Sequence, residues 1–143
     1  MTIATIMLVD DEVPFVEAMT KRLKRRDLDV EQAFSGQEAL DKLTEDSKTE
    51  VVILDVKMPG MDGIDTLKAI KSKVPLIEVI MLTGHATVES AIEGMKLGAF
   101  DYLLKPCDME HLIAKVSEAA AKKRQHEDKI INARIQEITA RRP

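Results

Sequence analysis

The chain has no apolar run approaching the ~18 residues that a membrane-spanning helix requires, so no helical membrane span is expected. It also has a single cysteine, Cys107. An internal disulfide is therefore impossible, and the fold makes no demand for an oxidising compartment. The early apolar run is interrupted by Asp10, Asp11 and Glu12, which is not the pattern of a secretory signal, and a cytoplasmic protein is expected. Basic charge is not in excess: 21 Lys and Arg stand against 25 Asp and Glu, a net of −4, which gives no reason to expect direct binding of nucleic acid. Glycine and proline are missing from residues 107–142, so nothing there interrupts a long helix.

What is present fits one soluble globular domain. The 143 residues are 45% hydrophobic and 32% charged, and a domain of that size buries roughly 68–70% of its unfolded surface. Charge is unevenly placed. Residues 122–143 hold seven Lys or Arg against three Asp or Glu, which leaves 14 against 22 in the first 121.

Short β-branched or apolar runs alternate five times with amphipathic segments, the pattern of an α/β protein with a parallel sheet. Strands are expected near 4–9, 28–34, 51–54, 77–82 and 100–104. Between them, apolar residues recur at helical spacing: Val16, Met19 and Leu23; Ala39, Leu40 and Leu43; Ile64, Leu67 and Ile70; Val88, Ala91, Ile92 and Met95. The first, third and fourth strands are almost wholly apolar, as expected when both sheet faces are covered, whereas Leu28-Asp29-Val30-Glu31 alternates and fits an edge. Right-handed crossovers then favour a doubly wound, flavodoxin-like sheet of order 2-1-3-4-5. Its switch point lies between the first and third strands, where such sheets bind ligands at the carboxyl ends. A last amphipathic stretch opens at Asp108, a candidate cap, with Leu112, Ile113, Val116 and Ala120 on one face. Apolar residues resume at Ile131, Ile135 and Ile138, so one long helix that overshoots the domain is expected.

At the carboxyl ends of these strands stand Asp10 and Asp11, Asp55, Thr83 and Lys105. Clustered carboxylates repel unless a cation sits among them, and Mg²⁺ takes hard oxygen ligands, one or two of them carboxylates. A competing reading has Asp10 or Asp11 capping the first helix. Thr83 alone would be structural and Lys105-Pro106 alone a surface loop; their joint occurrence carries the argument. The Lys105-Pro106 bond is compatible with a cis peptide.

The residues Val9-Asp10-Asp11-Glu12, the run from Leu54-Asp55 through Lys57-Met58-Pro59-Gly60-Met61-Asp62-Gly63, then Leu82-Thr83-Gly84-His85 and Phe100-Asp101-Tyr102-Leu103-Leu104-Lys105-Pro106 resemble the motifs of response-regulator receiver domains. They run in family order across about residues 4–120. The stretch 82–91 further resembles receivers of the nitrogen-regulation type. The resemblance implies a receiver domain over 1–121 with a helical extension over 122–143. It implies that Asp55 accepts a phosphoryl group from a sensor histidine kinase or a histidine phosphotransfer protein. Mg²⁺ is then held by Asp11, Asp55 and the Lys57 backbone carbonyl, with Asp10 helping through water. Thr83 and Lys105 contact the phosphoryl oxygens, and Tyr102 matches the aromatic switch residue. Signalling would remodel the face of the fourth helix, fifth strand and fifth helix, and a homodimer through that face or the last helix is expected. No activity on an exogenous substrate is implied, only self-phosphorylation and self-dephosphorylation.

Other residues have competing readings. Lys57 and His85 lie two positions past Asp55 and Thr83, where they either overhang the acceptor and tune the phosphoryl lifetime or are plain loop residues. Cys107 lacks the partners of a catalytic thiol, and His111 and His126 lack metal-ligand spacing. An aspartyl phosphatase of the haloacid dehalogenase type would show Asp-x-Asp after the first strand, which this chain lacks. A flavin module would need a Ser/Thr/Gly-rich phosphate loop there. A scaffold that has lost signalling would not require the full Asp10, Asp11, Asp55, Thr83 and Lys105 set.

Overall fold

The computed structural model describes residues 2–58, 60–84 and 87–141. Five strands, β1 (Ala4–Val9), β2 (Leu28–Ala33), β3 (Val51–Leu54), β4 (Glu78–Thr83) and β5 (Asp101–Leu104), alternate with helices α1 (Val13–Lys24), α2 (Gly36–Lys42), α3 (Gly63–Lys73), α4 (Val88–Lys96) and α5 (Met109–Ala140). The sheet is parallel throughout and ordered β2-β1-β3-β4-β5. β3 and β4 are buried along their whole length, and β2 alternates as an edge strand.

Because strand side chains alternate between faces, each strand feeds two cores. Ile6, Leu8, Ile53, Ile80 and Leu82 meet Val16 and Leu23 of α1 and Leu112 and Val116 of α5. On the other face Met7, Val9, Val52, Leu54 and Met81 meet Ala39 of α2 and Leu67 and Ile70 of α3. Each such Leu or Ile, when fully buried, stabilises the fold by about 1.5–3 kcal/mol. The register is what places the functional ends: Val9 pairs with Leu54, so Asp10 and Asp55 emerge side by side.

Helix starts follow their capping chemistry. Ser35 accepts from the Glu38 amide, Asp62 from Asp65, Thr87 from Ser90 and Asp108 from His111. α1 is the exception. Its N-cap is Glu12 with no side-chain bond, and Pro14 occupies the first turn. Neither Asp10 nor Asp11 caps it, and Asp10 Oδ1 instead accepts from the Glu12 amide at 2.9 Å.

α5 runs unbroken for 32 residues. Its first turns bury Met109, Leu112, Val116 and Ala120. Farther on, it is fastened to the amino-terminal edge of the sheet by ion pairs. Arg124 clamps Glu50 with two bonds, 2.6 and 2.8 Å, and donates to the Ile3 carbonyl at 3.0 Å, while Lys122 lies 3.2 Å from buried Glu78. Beyond these contacts Ile131, Ile135 and Ile138 are exposed. Among the described residues, no helix is long and apolar enough to cross a membrane.

Candidate metal and anion site

Asp10 and Asp11 follow β1 and Asp55 follows β3, and one oxygen from each carboxylate lies within 4.8 Å of the others. Asp10 and Asp55 are 1% and 3% exposed, and Asp11 is open to solvent. Three anionic oxygens this close, two of them withdrawn from water, form a hard-donor set suited to a divalent cation with water completing the shell. The electrostatics point the same way. Burial, above all, pushes the Asp55 carboxyl up from its ordinary value of 3.8, and the Asp10 charge adds to this; the Thr83 hydroxyl bond, the Lys105 charge and the Val56 amide oppose it. The Val56 amide donates to Asp55 Oδ1 at 2.8 Å.

The strand ends bring the remaining polar groups to the same place. Thr83, the last residue of β4, is fully buried with its hydroxyl bonded to Asp55. Lys105 follows β5, its backbone amide donating to the Thr83 carbonyl at 2.9 Å, and the Lys105-Pro106 bond is cis. Its ammonium donates to Asp10 Oδ2 at 2.6 Å and sits 4.0 Å above the Phe15 ring. Lys105 therefore neutralises Asp10 directly, leaving Asp11 and Asp55 as the carboxylates with no cation at hydrogen-bond distance among the described residues. Tyr102 lies half-buried on β5, its hydroxyl 2.8 Å from Ser90 Oγ on α4. Lys57 is exposed in the loop after Asp55. His85, together with Pro59 and Ala86, lies outside the described residues. Cys107 is a free thiol whose acidity is weakened by burial and by Asp108.

Sequence reasoning does not single out Gly63 beyond its place in the motif. It begins α3 pressed against the acceptor loop, its amide donating to the Val56 carbonyl at 2.7 Å. A Cβ there would lie 2.0 Å from the Asp55 carbonyl oxygen. Ser90 is likewise unmarked in the sequence, since nothing local signals a partner on β5.

A doubly wound sheet carrying an acidic cluster, a Thr and a Lys at the carboxyl ends of its strands defines a class also reached by comparison. The model of the response regulator receiver domain matches residues 6–117, and the chain belongs to that family. It is 40% identical over 116 residues to the transcriptional regulatory protein ZraR of Escherichia coli, covering 81% of this chain and 26% of that protein. It is 39% identical over 113 residues to the DNA-binding transcriptional regulator NtrC of Klebsiella pneumoniae, covering 78% and 24% respectively. A solved CheY-like receiver domain from Methanospirillum hungatei superposes with a TM-score of 0.80 at 27% identity, over 86% of this chain and 98% of that one. The chain thus spans about a quarter of the length of these curated relatives.

Proposed function

We propose that the chain is the phospho-acceptor switch of a two-component relay, taking a phosphoryl group on Asp55 from a sensor histidine kinase or a histidine phosphotransfer protein. The observation that carries this reading is the buried Asp55 carboxylate, held between two further carboxylates, the Thr83 hydroxyl and the Lys105 ammonium. An Asp55 oxygen attacks phosphorus in line. The new P–O bond forms as the P–N bond to the donor imidazole breaks, and the imidazole leaves with the proton on its other nitrogen. Such a transfer needs positioning and charge neutralisation more than work by a base. Asp11, Asp55 and the Lys57 carbonyl would hold Mg²⁺, with Asp10 acting through water, and the bound ion would neutralise charge on the transferring oxygens. Lys105 and Thr83 take the remaining oxygens, and the added charge at Asp55 is what Thr83 and Tyr102 read out.

Intact-mass measurement after treatment with a small phosphodonor and Mg²⁺ should show one added phosphoryl group, absent in Asp55→Asn. Label that persists in that variant would defeat the assignment. The same assay, followed as decay, tests the proposed tuning by Lys57 and His85: Lys57→Ala and His85→Ala should change the lifetime of the label if these residues screen or orient the attacking water.

The partner reading extends to a second copy of the chain. Ile131, Ile135 and Ile138 fall at i, i+4 and i+7 on the exposed side of α5, a stripe shorter than the several heptads of a stable coiled coil. Weak dimerisation that strengthens with beryllofluoride is the expected result in sedimentation. A chain that stays monomeric in every condition would remove this reading.

A further inference from the structure

α4 is the most lightly anchored helix of the fold. Gly94 is its one buried residue, while Val88, Ile92 and Met95 are 75%, 50% and 46% exposed. A helix with so little apolar burial depends on the few specific contacts it makes. One of them is polar and reaches β5, the 2.8 Å contact between Ser90 Oγ and the Tyr102 hydroxyl. One turn further along α4, the tyrosine ring lies over Gly94, where a Cβ would sit 3.7 Å from Cδ2.

Ser90 has other obligations. Its hydroxyl accepts from the Thr87 amide at 3.1 Å, lies 3.0 Å from Thr87 Oγ1 and donates to the Thr87 carbonyl at 3.1 Å, all within the capping box that starts α4. With Tyr102, four contacts converge on an oxygen that has one proton and two lone pairs. Tyr102 and Thr87 Oγ1 compete for the second lone pair, so the short 2.8 Å tyrosine bond can be made in place of the Thr87 Oγ1 contact and given up without leaving Ser90 unsatisfied. Ser90 stays satisfied inside the box when Tyr102 leaves, so departure breaks one hydrogen bond and orphans no buried group on the helix.

We infer that Ser90 is a positioning residue that tethers Tyr102 to α4 in the unphosphorylated protein and thereby sets the resting side of the switch equilibrium. The inference rests on the phospho-acceptor reading above. The resting assignment follows from Lys105, whose ammonium is committed to Asp10 rather than to a group on Asp55. Phosphorylation that draws Tyr102 off α4 must break the tether, and a net hydrogen bond of ordinary strength biases such an equilibrium about two- to tenfold. Because the site oxygens have already engaged Thr83 and Lys105, this bias acts on a separate group, and Ser90 can change the set point without touching the chemistry.

The composition supplies a clean reporter. Tyr102 is the sole tyrosine and there is no tryptophan, so the intrinsic fluorescence of the full chain reports this residue alone. The experiment is a beryllofluoride titration in Mg²⁺ of the parent, Ser90→Ala and Ser90→Thr. Ser90→Ala keeps the bond that the residue 90 amide donates to Thr87 Oγ1, the half of the capping box that does not use the Ser90 side chain, so α4 retains an N-cap. Before any beryllofluoride is added, its emission should already be displaced toward the saturated parent value, and its half-saturating concentration should be about two- to tenfold lower. Ser90→Thr, which keeps a hydroxyl, should behave as the parent. Parent-like resting emission in Ser90→Ala, an unchanged or raised midpoint, or equal behaviour of the Ala and Thr variants would overturn the tether. Failure of the acceptor reading is seen separately, as the absence of a mass label on Asp55, whereas the resting emission of Ser90→Ala tests the tether whichever way that measurement falls.

Discussion

Asp11→Ala is expected to abolish most of the thermal stabilisation that Mg²⁺ gives the parent. Of the three clustered carboxylates, Asp10 is neutralised by Lys105 at 2.6 Å, so Asp11 and Asp55 carry the charge that a cation would balance. Removing Asp11 deletes a hard-oxygen ligand without disturbing the core, because that side chain is exposed. A ligand present at 100 times its Kd stabilises by about 2.7 kcal/mol, which for a chain of this size is a rise in Tm of roughly 10 °C. Melting curves with and without Mg²⁺ measure it. An Asp11→Ala protein that gains as much from Mg²⁺ as the parent would show that the ion sits elsewhere.

The Mg²⁺ stabilisation should also depend on pH with a definite sign. Burial raises the Asp55 carboxyl above its ordinary 3.8, so the folded protein holds that proton more tightly than the unfolded chain. Without metal, the contribution of Asp55 to stability therefore falls as pH rises from the ordinary value through the raised one. Above that window the ionised carboxylate is a cost. Mg²⁺ relieves it, so the gain in Tm from the ion should be largest near neutral pH and fade in acid as Asp55 takes up its proton.

Gly63→Ala should be the most damaging single-methyl change near the site. The added carbon would lie 2.0 Å from the Asp55 carbonyl oxygen and 2.6 Å from the Val56 Cα, and all of its nearest contacts are backbone. No side chain can rotate to make room. Either α3 backs away, breaking the 2.7 Å bond from the Gly63 amide to the Val56 carbonyl, or the acceptor loop moves. Overpacking of this kind costs about 3 kcal/mol. In the fraction that folds, a shift of about 1 Å at the acceptor is enough to slow transfer on the order of a hundredfold. Urea denaturation and the rate of mass labelling would register both. Gly60 offers a contrast: a Cβ there meets nothing within 4 Å among the described residues, and its φ of +74° resists substitution at about 1 kcal/mol. If Gly63→Ala were as mild as Gly60→Ala in both measurements, the close-approach argument would be wrong.

The architecture was legible because its signals are local. Apolar runs such as Val51-Val52-Ile53-Leu54 announce strands buried on both faces, the alternation after Leu28 announces an edge, and handedness leaves one natural order for five units. The acidic cluster was legible for a related reason: strand ends are fixed once strands are, so Asp10 and Asp55 must be neighbours. Geometry decided what periodicity left open at Asp10, which turns its carboxylate to the Glu12 amide and Lys105 instead of capping α1. The rest depends on pairs far apart in sequence. Arg124 finds Glu50 across 74 positions and Ser90 finds Tyr102 across 12, and no pattern in one sequence marks either member as half of a pair. The tight approach of Gly63 to Asp55 is hidden for the same cause, since a glycine after Asp62 reads first as part of a turn.

The clamp between Arg124 and Glu50 turns the last helix into a mechanical arm. Fastened at the far edge of the sheet, opposite the acidic cluster, α5 continues to Ala140 without a glycine or proline to absorb bending. At 1.5 Å per residue, the helix runs on for about 24 Å past the clamp, its residues up to Arg134 flanking a cleft with the loops at 44–47 and 74–77. A tilt of roughly 5° at the domain would carry its tip about 2 Å sideways, the scale on which packed side chains must choose a new arrangement. A displacement too small to notice at the sheet is thereby delivered, magnified, to whatever grips the isoleucines at the end.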